Sequence, residues 1–168
     1  MIFKEKIKNY EEAGRPIVYI DETGFEEDMP RLYGYALKGK RCLGTYRWHL
    51  KKRVQAIGAL FKTTLINVCL FAGSINTDVF SAWVEQQLVP CLPEKAVVVM
   101  DNASFHKRTD IRQFIEKEGK SLEFLPPYSP ELNPIEKKWG QVKGRRRKLQ
   151  CSVEALFQEK DCNRFFMG

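Results

Sequence analysis

Asp21 closes the apolar run IVYI, Asp101 closes the apolar run VVVM, and Glu136 follows with 34 residues between it and Asp101. A short unbroken apolar run reads as a strand buried on both faces, and an ionised carboxylate at its end is costly unless something neutralises it. Two such ends side by side repel each other, and a divalent cation between them reverses that interaction. Hard cations prefer oxygen ligands, keep several waters and need only a few carboxylates. Two Asp and one Glu without a Cys or His partner therefore point to Mg²⁺ or Mn²⁺ rather than zinc. Two such ions about 4 Å apart suit phosphodiester cleavage, because together they generate a nucleophilic oxygen and spread charge in the transition state. Asp21 would bridge both ions, with Asp101 and Glu136 each completing one.

Each acid taken alone has an ordinary explanation. Asp21 and Asp101 could be strand-end turn residues, and Asp101-Asn102 is good turn chemistry. Glu136 stands third in an expected helix with Asn133 as N-cap and Pro134 at the first position, where a capping box would use it. The three together, in one chain, are the stronger signal. That helix has an apolar edge of Ile135, Trp139 and Val142, while Glu136, Gly140, Lys143 and Arg147 share another face. Gly140 costs about 1 kcal/mol of helix propensity relative to Ala, which makes sense if a phosphate backbone must approach there.

The elements that must position these acids can be read in order. A short helix or arm spans Lys4 to Glu12, and Gly14 and Pro16 punctuate the chain before a strand from Ile17 to Thr23. YGYALKGKR suggests a short strand and turn. Val54 to Phe61 and Thr64 to Gly73, separated by Lys62 and Thr63, read as a hairpin. From Asn76 or Thr77, the residues Val79, Phe80, Trp83, Val84 and Leu88 recur with helical spacing until Pro90 stops the pattern. A buried strand (Ala96 to Met100), a helix (about Lys107 to Glu118, ended by Gly119) and the strand SLEFL follow. The order predicts a mixed α/β sheet with helices on its faces.

The chain has 168 residues, 43% of them hydrophobic, and a formal charge of +7, so one domain with a sizeable core is expected. Residues 29 to 77 contain no Asp or Glu but carry nine Lys or Arg, among them Lys38, Arg53 and Lys62. A solvated face is the ordinary explanation of a basic run; a second run, KGRRRK, close to Glu136 shifts the balance toward nucleic acid. Five widely spaced cysteines and two histidines support neither a zinc knuckle nor a disulfide framework. No run approaches the roughly 18 apolar residues of a membrane span, and the charged N-terminus does not resemble a signal peptide. Neither His49 nor His106 begins the HxxR arrangement of a tyrosine recombinase, and covalent serine chemistry lacks a base.

The segments YIDETGF, VVVMDNASFH and LPPYSPELNPIEKKWGQVK, in this order, resemble the catalytic DDE domain of mariner-like bacterial insertion-sequence transposases from Ile17 to about Lys148. The proline-rich segment is the most specific. The resemblance implies an RNase H-like fold, a mixed five-stranded sheet with helices on both faces, and metal ligation by Asp21, Asp101 and Glu136. It further implies two Mg²⁺ (or Mn²⁺) ions, transposon ends and target DNA as partners, a homodimer in the synaptic complex, and a bacterial cytoplasmic or nucleoid location. Family members cut both strands at inverted terminal repeats with water, then join the freed 3′ hydroxyl to target DNA. Asn102 and His106 would orient ligands or touch phosphate, unless they only satisfy local hydrogen bonds. Lys137, Lys143, Arg145, Arg146 and Arg147 are candidate DNA contacts, and Tyr128, Ser129 and Pro130 would shape the loop that delivers Glu136.

Members also carry N-terminal helix-turn-helix modules, whereas 16 residues precede the first expected strand here. The expected division is an arm or linker-helix remnant at 1–16, the catalytic domain at 17–150 and a short helical tail at 151–168. A separate helix-turn-helix partner, a missing N-terminal domain or a truncated, inactive remnant then stay open, as does an RNase H-like nuclease of another kind.

Overall fold

Four consecutive apolar residues form strand β4 (Val97–Met100), and all four are buried, as a strand covered on both faces requires. The computed structural model describes residues 2–26, 38–39, 53–102 and 109–158. Apart from a turn at Lys38 and Gly39, the segment YGYALKGKR lies outside the described residues, as do His106 and everything beyond Gln158. The other elements are α1 (Ile2–Glu12), β1 (Ile17–Glu26), β2 (Arg53–Phe61), β3 (Thr64–Ala72), α2 (Thr77–Trp83), α3 (Val89–Cys91), α4 (Thr109–Glu116), β5 (Ser121–Phe124), α5 (Pro134–Leu149) and α6 (Val153–Gln158). The strands make one sheet in the order β3-β2-β1-β4-β5. It is mixed as expected: β1, β2 and β3 run antiparallel, while β4 and β5 lie parallel to β1.

Alternation along the central strands sorts their side chains between two layers. Val18, Ile20, Ile57, Ala59, Val98 and Met100 pack under α2 and α4 through Phe80, Trp83, Ile111 and Ile115. On the opposite face Val54, Ala56 and Phe25 meet Ile135, Trp139 and Val142 of α5. Ile17, Val97 and Val99 meet Ile7 of α1 there. The segments set apart in the sequence as arm and tail both join this second layer: Tyr10 of α1 donates to Glu123 at 2.8 Å, and α6 buries Val153 and Leu156 beside Phe25. Among the described residues no helix is long and apolar enough to cross a membrane.

Two local expectations change. Asp21 is not at the end of its strand, because antiparallel pairing with β2 carries β1 on to Glu26. Pro90 does not stop the helix that begins at Asn76, which runs on to Cys91 through a π turn over Val84–Leu88. The Val89 N–H reaches back to the Val84 carbonyl. Such a widened turn makes room for a proline ring that would collide with the preceding turn of a regular α-helix.

The docking of α5 rests on one missing side chain. Gly58 of β2 pairs with Asp21 of β1, and a Cβ at residue 58 would stand 2.5 Å from two carbons of the Trp139 ring. Trp139 itself is 2% exposed. The indole thus occupies the side-chain position that Gly58 leaves empty, and Glu136, one turn earlier on α5, is carried toward Asp21. We expect Gly58→Ala to destabilise the protein by about 1–3 kcal/mol through overpacking, measured by urea denaturation. Combining it with Trp139→Leu should cost less than the sum of the two single changes; strict additivity would show that the two residues do not constrain each other.

Candidate active site

The parallel register between β1 and β4 brings the two aspartates together. Ile17 pairs with Val97 and Tyr19 with Val99, and the same offset sets Asp21 against Asp101, two residues past the last pair. Asp21 is partly buried within β1, while Asp101 and Asn102 are exposed where β4 ends. By strand alternation both aspartates fall on the α5 side of the sheet.

Glu136 reaches the same place by a different route. After β5 the chain turns through Pro126, Pro127 and Tyr128, makes a 3₁₀ turn over Pro130–Leu132, and enters α5. The innocent role that the sequence allowed Glu136 is not used. In a capping box its carboxylate would bond the Asn133 N–H, yet that N–H donates to the Pro130 carbonyl at 3.0 Å. Asn133 stands at the N-cap position, but its side chain makes no capping bond. It is instead 4% exposed, with Oδ1 buried and no donor reaching it.

All these groups line one cavity of about 400 Å³: Asp21, Asp101 and Glu136, with Asn102, Asn133 and a wall running from Leu125 to Pro130. Tyr128 stands on this wall, its side chain fully exposed and its φ at 55°. A left-handed backbone is costly for a bulky residue, and the ring contributes no packing in return. Burial pushes the Asp21 carboxyl from the ordinary 3.8 up to about 7, with the negative charge of Glu136 the next cause and those of Asp101 and Glu22 adding to it. The backbone N–H of Glu22 opposes the rise. The donors are hard oxygens, which suits Mg²⁺ or Mn²⁺. Among the described residues, however, no three Asp, Glu, Cys or His side chains are gathered closely enough to hold a metal ion.

A cationic margin adjoins the acids. Lys143 has its pKa lowered by burial first, with Arg53 and Arg147 lowering it further and Glu136 and Asp21 opposing them. Its Nζ lies 5.5 Å from the centroid of the Phe25 ring. The other candidate DNA contacts divide. Lys137 and Arg147 are exposed and Arg145 is partly buried, whereas Arg146 must be corrected. Its guanidinium is buried and donates to the Glu26 carbonyl at 2.6 Å and the Cys151 carbonyl at 3.1 Å, so it ties β1 to the turn after α5 rather than facing DNA. The role expected of His106 falls outside the described residues. Sequence reasoning missed Asn133 as a lining residue, because its type and position before Pro134 match an ordinary helix cap. It also missed Tyr128 as an exposed ring; the unbroken motif carried no sign of which way that side chain turns.

A family model described as DDE superfamily endonuclease matches residues 16–156. Among solved structures, a pre-cleavage Mos1 transpososome is similar with a TM-score of 0.68 and 19% identity, covering 98% of this chain and 53% of that one. The catalytic domain of Mos1 mariner transposase gives 0.61 and 15%, covering 98% and 77%. A mariner Mos1 paired-end complex with Mg gives 0.60 and 20%, covering 97% and 54%. The chain thus spans about half the length of the transposase chains in the two DNA complexes. At these identities the likeness establishes the fold. No curated protein matches the chain.

The raised Asp21 carboxyl has a stability consequence. Between the ordinary 3.8 and about 7 the folded chain holds a proton that the unfolded chain has released, so stability falls as pH rises through that window and levels off above it. Urea denaturation of chelator-treated protein should show Asp21→Asn gaining on the wild type from acid to neutral pH, by on the order of 2–4 kcal/mol at the plateau. A difference that does not vary with pH would refute the assignment.

Proposed function

The chain belongs to the DDE superfamily endonucleases, and from that premise we propose that it is the catalytic domain of a DNA transposase, cutting DNA strands at the ends of a mobile element and joining the freed 3′ hydroxyls to target DNA. One observation carries the reading: Asp21, Asp101 and Glu136, from three segments far apart in the chain, line the same cavity. We assign to these three carboxylates the binding of Mg²⁺ or Mn²⁺ as two ions. Bound there, the cations supply activation of the attacking oxygen and neutralisation of charge on the phosphate. The mariner Mos1 paired-end complexes with Mg and with Mn support this choice. Ligation requires the three side chains to converge further than they do here.

The chain's own residues bring the substrate to the acids. Asp21 and Glu136 repel a phosphate backbone, and Lys143, with Arg53 and Arg147 beside it, supplies the opposite charge next to them. On the exposed face of α5 a Cβ at Gly140 would meet nothing within 4 Å, which leaves open surface between Glu136 and Lys143 for the backbone to cross. Tyr128 offers a flat ring at the cavity rim on which a nucleobase can stack. Recognition of the terminal repeats falls to a helix-turn-helix partner or domain, pairing of the two ends to a homodimer, and the site of action is the cytoplasm or nucleoid.

Asp21→Asn, Asp101→Asn and Glu136→Gln should each lower Mg²⁺- or Mn²⁺-dependent nicking of supercoiled plasmid by roughly 100-fold or more, with native circular dichroism retained. Full nicking by Glu136→Gln would remove Glu136 from the site, and preference for RNA–DNA hybrids over duplex DNA would redirect the function toward another RNase H-like nuclease. Lys143→Ala and Arg147→Ala should each weaken DNA binding and reduce the slope of log affinity against log salt by about 1. Fluorescence anisotropy with a labelled duplex measures this, and an unchanged slope would exclude both residues from the phosphate path.

A further inference from the structure

The cavity that holds the three carboxylates has a second lining, which metal binding does not use. Leu125, Pro126, Pro127, Tyr128 and Pro130 make that wall, and prolines fix their own φ, so it is stiff. It is also tied to the elements that carry the acids. At its start the Leu125 N–H donates to the carbonyl of Met100, the residue before Asp101, at 2.8 Å. At its end the 3₁₀ turn over Pro130–Leu132 leads into α5 and Glu136. Between these ties Ser129 Oγ donates to the Pro127 carbonyl at 3.2 Å. Tyr128 is held there with φ at 55° and its side chain fully exposed. Three other described residues besides glycine have positive φ: Lys62, Lys95 and Gln150. They stand at the β2–β3 turn, the turn before β4 and the end of α5, where a left-handed residue is an ordinary way to reverse the chain or end a helix. Tyr128 alone among the four is aromatic and lines the cavity. Glycine or asparagine would take that backbone at lower cost, and the exposed ring buries nothing, so the fold has no use for it.

Size and shape narrow the occupant of that wall. A cavity of about 400 Å³ lies in the range of single small-molecule sites, so it admits one nucleotide and not a duplex. A phosphate held at the acids leaves its sugar and base to the neighbouring apolar wall. Within a duplex both faces of a base are covered by the bases above and below, so a tyrosine ring stacks only on a base that has left its pair. Such stacking tolerates any base, because every base has a π face. Taking a base out of the duplex costs least where it is mismatched or already single-stranded, and that difference is itself a source of selectivity. Resting on the function assigned above, we propose that Tyr128 stacks on an unpaired base beside the phosphate under attack. The substrate class is therefore duplex DNA opened at the cut, chosen by the opening and not by the identity of the base.

Two labelled DNAs test this, a blunt duplex and the same duplex ending in a short unpaired fork; an unlabelled fork carries 2-aminopurine at its first unpaired position. Binding is measured with Ca²⁺, which takes the same kind of oxygen donors, in place of Mg²⁺, and Mg²⁺-dependent plasmid nicking by the wild type is run alongside. The wild type should bind the fork about 5-fold or more tighter than the blunt duplex and quench the 2-aminopurine. Tyr128→Phe, which keeps the ring, should do the same. Tyr128→Leu should bind the two DNAs within about 2-fold of each other, hold the blunt duplex as the wild type does, and leave the fluorescence unquenched. Tyr128→Asn should also lose the preference while melting at or above the wild-type temperature, because asparagine tolerates the left-handed backbone. Equal binding of both DNAs by the wild type, or a preference that survives in Tyr128→Leu, overturns the proposal. So does a lower melting temperature for Tyr128→Asn with the preference intact, which would give the ring a structural role. Nicking without fork preference overturns the Tyr128 role alone. Fork preference without nicking overturns the transposase reading and leaves the base contact standing, and no binding to either DNA overturns both.

Discussion

The indole of Trp139 lies where a side chain at residue 58 would have to be, with ring carbons 2.5 Å from the position of a Cβ there. Because Gly58 is the register partner of Asp21, this close approach sets the depth at which α5 crosses the sheet beside the first acid. Glu136, one helical turn before Trp139, is carried to the cavity by the same contact. The rest of the site follows from that anchorage. The proline-rich wall must span from β5 to the helix start, and Lys143, two turns beyond Glu136, must come to rest over Phe25. The Trp139 Nε1 is buried without an acceptor, a cost of about 1–3 kcal/mol that the packing of the large ring offsets.

Bringing three carboxylates to one cavity works against the fold, and the electrostatics register it. Burial and the neighbouring Glu136 and Asp101 charges drive the Asp21 carboxyl toward neutrality. Just outside the cavity burial lowers the pKa of Lys143, with the charges of Arg53 and Arg147 lowering it further, while Glu136 and Asp21 raise it. The basic residues are not equivalent, however. Arg146 is spent on two backbone carbonyls that tie the end of β1 to the turn after α5, so it stabilises the frame that holds the acids rather than meeting a substrate. A cluster that reads as one basic run in sequence therefore divides by helical phase into structural and exposed members.

Much of the fold was legible because its signals are local. The unbroken VVVM run announced a strand buried on both faces, Lys62-Thr63 announced a hairpin turn, and Asn133-Pro134 announced a helix start. Where the reading slipped, a distant neighbour overrode the local signal. Antiparallel pairing with β2 extends β1 past Asp21 to Glu26, and a π turn carries the second helix through Pro90. For the site, residue types and order pointed to Asp21, Asp101 and Glu136 together, but the capping-box alternative for Glu136 could be dismissed only after the Asn133 N–H was found bonded to Pro130.

By itself, the amino-acid sequence determined which residues could do chemistry, because an Asp or Glu beside an apolar run or at a helix start is an electrostatic feature that needs no coordinates. It also determined the order of strands and helices, since hydrophobic period and capping chemistry act over a few residues. Tertiary structure decided the β1–β4 register that sets Asp21 against Asp101, the approach of α5 to Gly58 that brings Glu136 in, and the division among Arg145, Arg146 and Arg147. It also decided that Asn133 lines the cavity without capping its own helix. These are contacts between segments far apart in the chain, and their free energy depends on shape and burial that no local stretch of sequence contains.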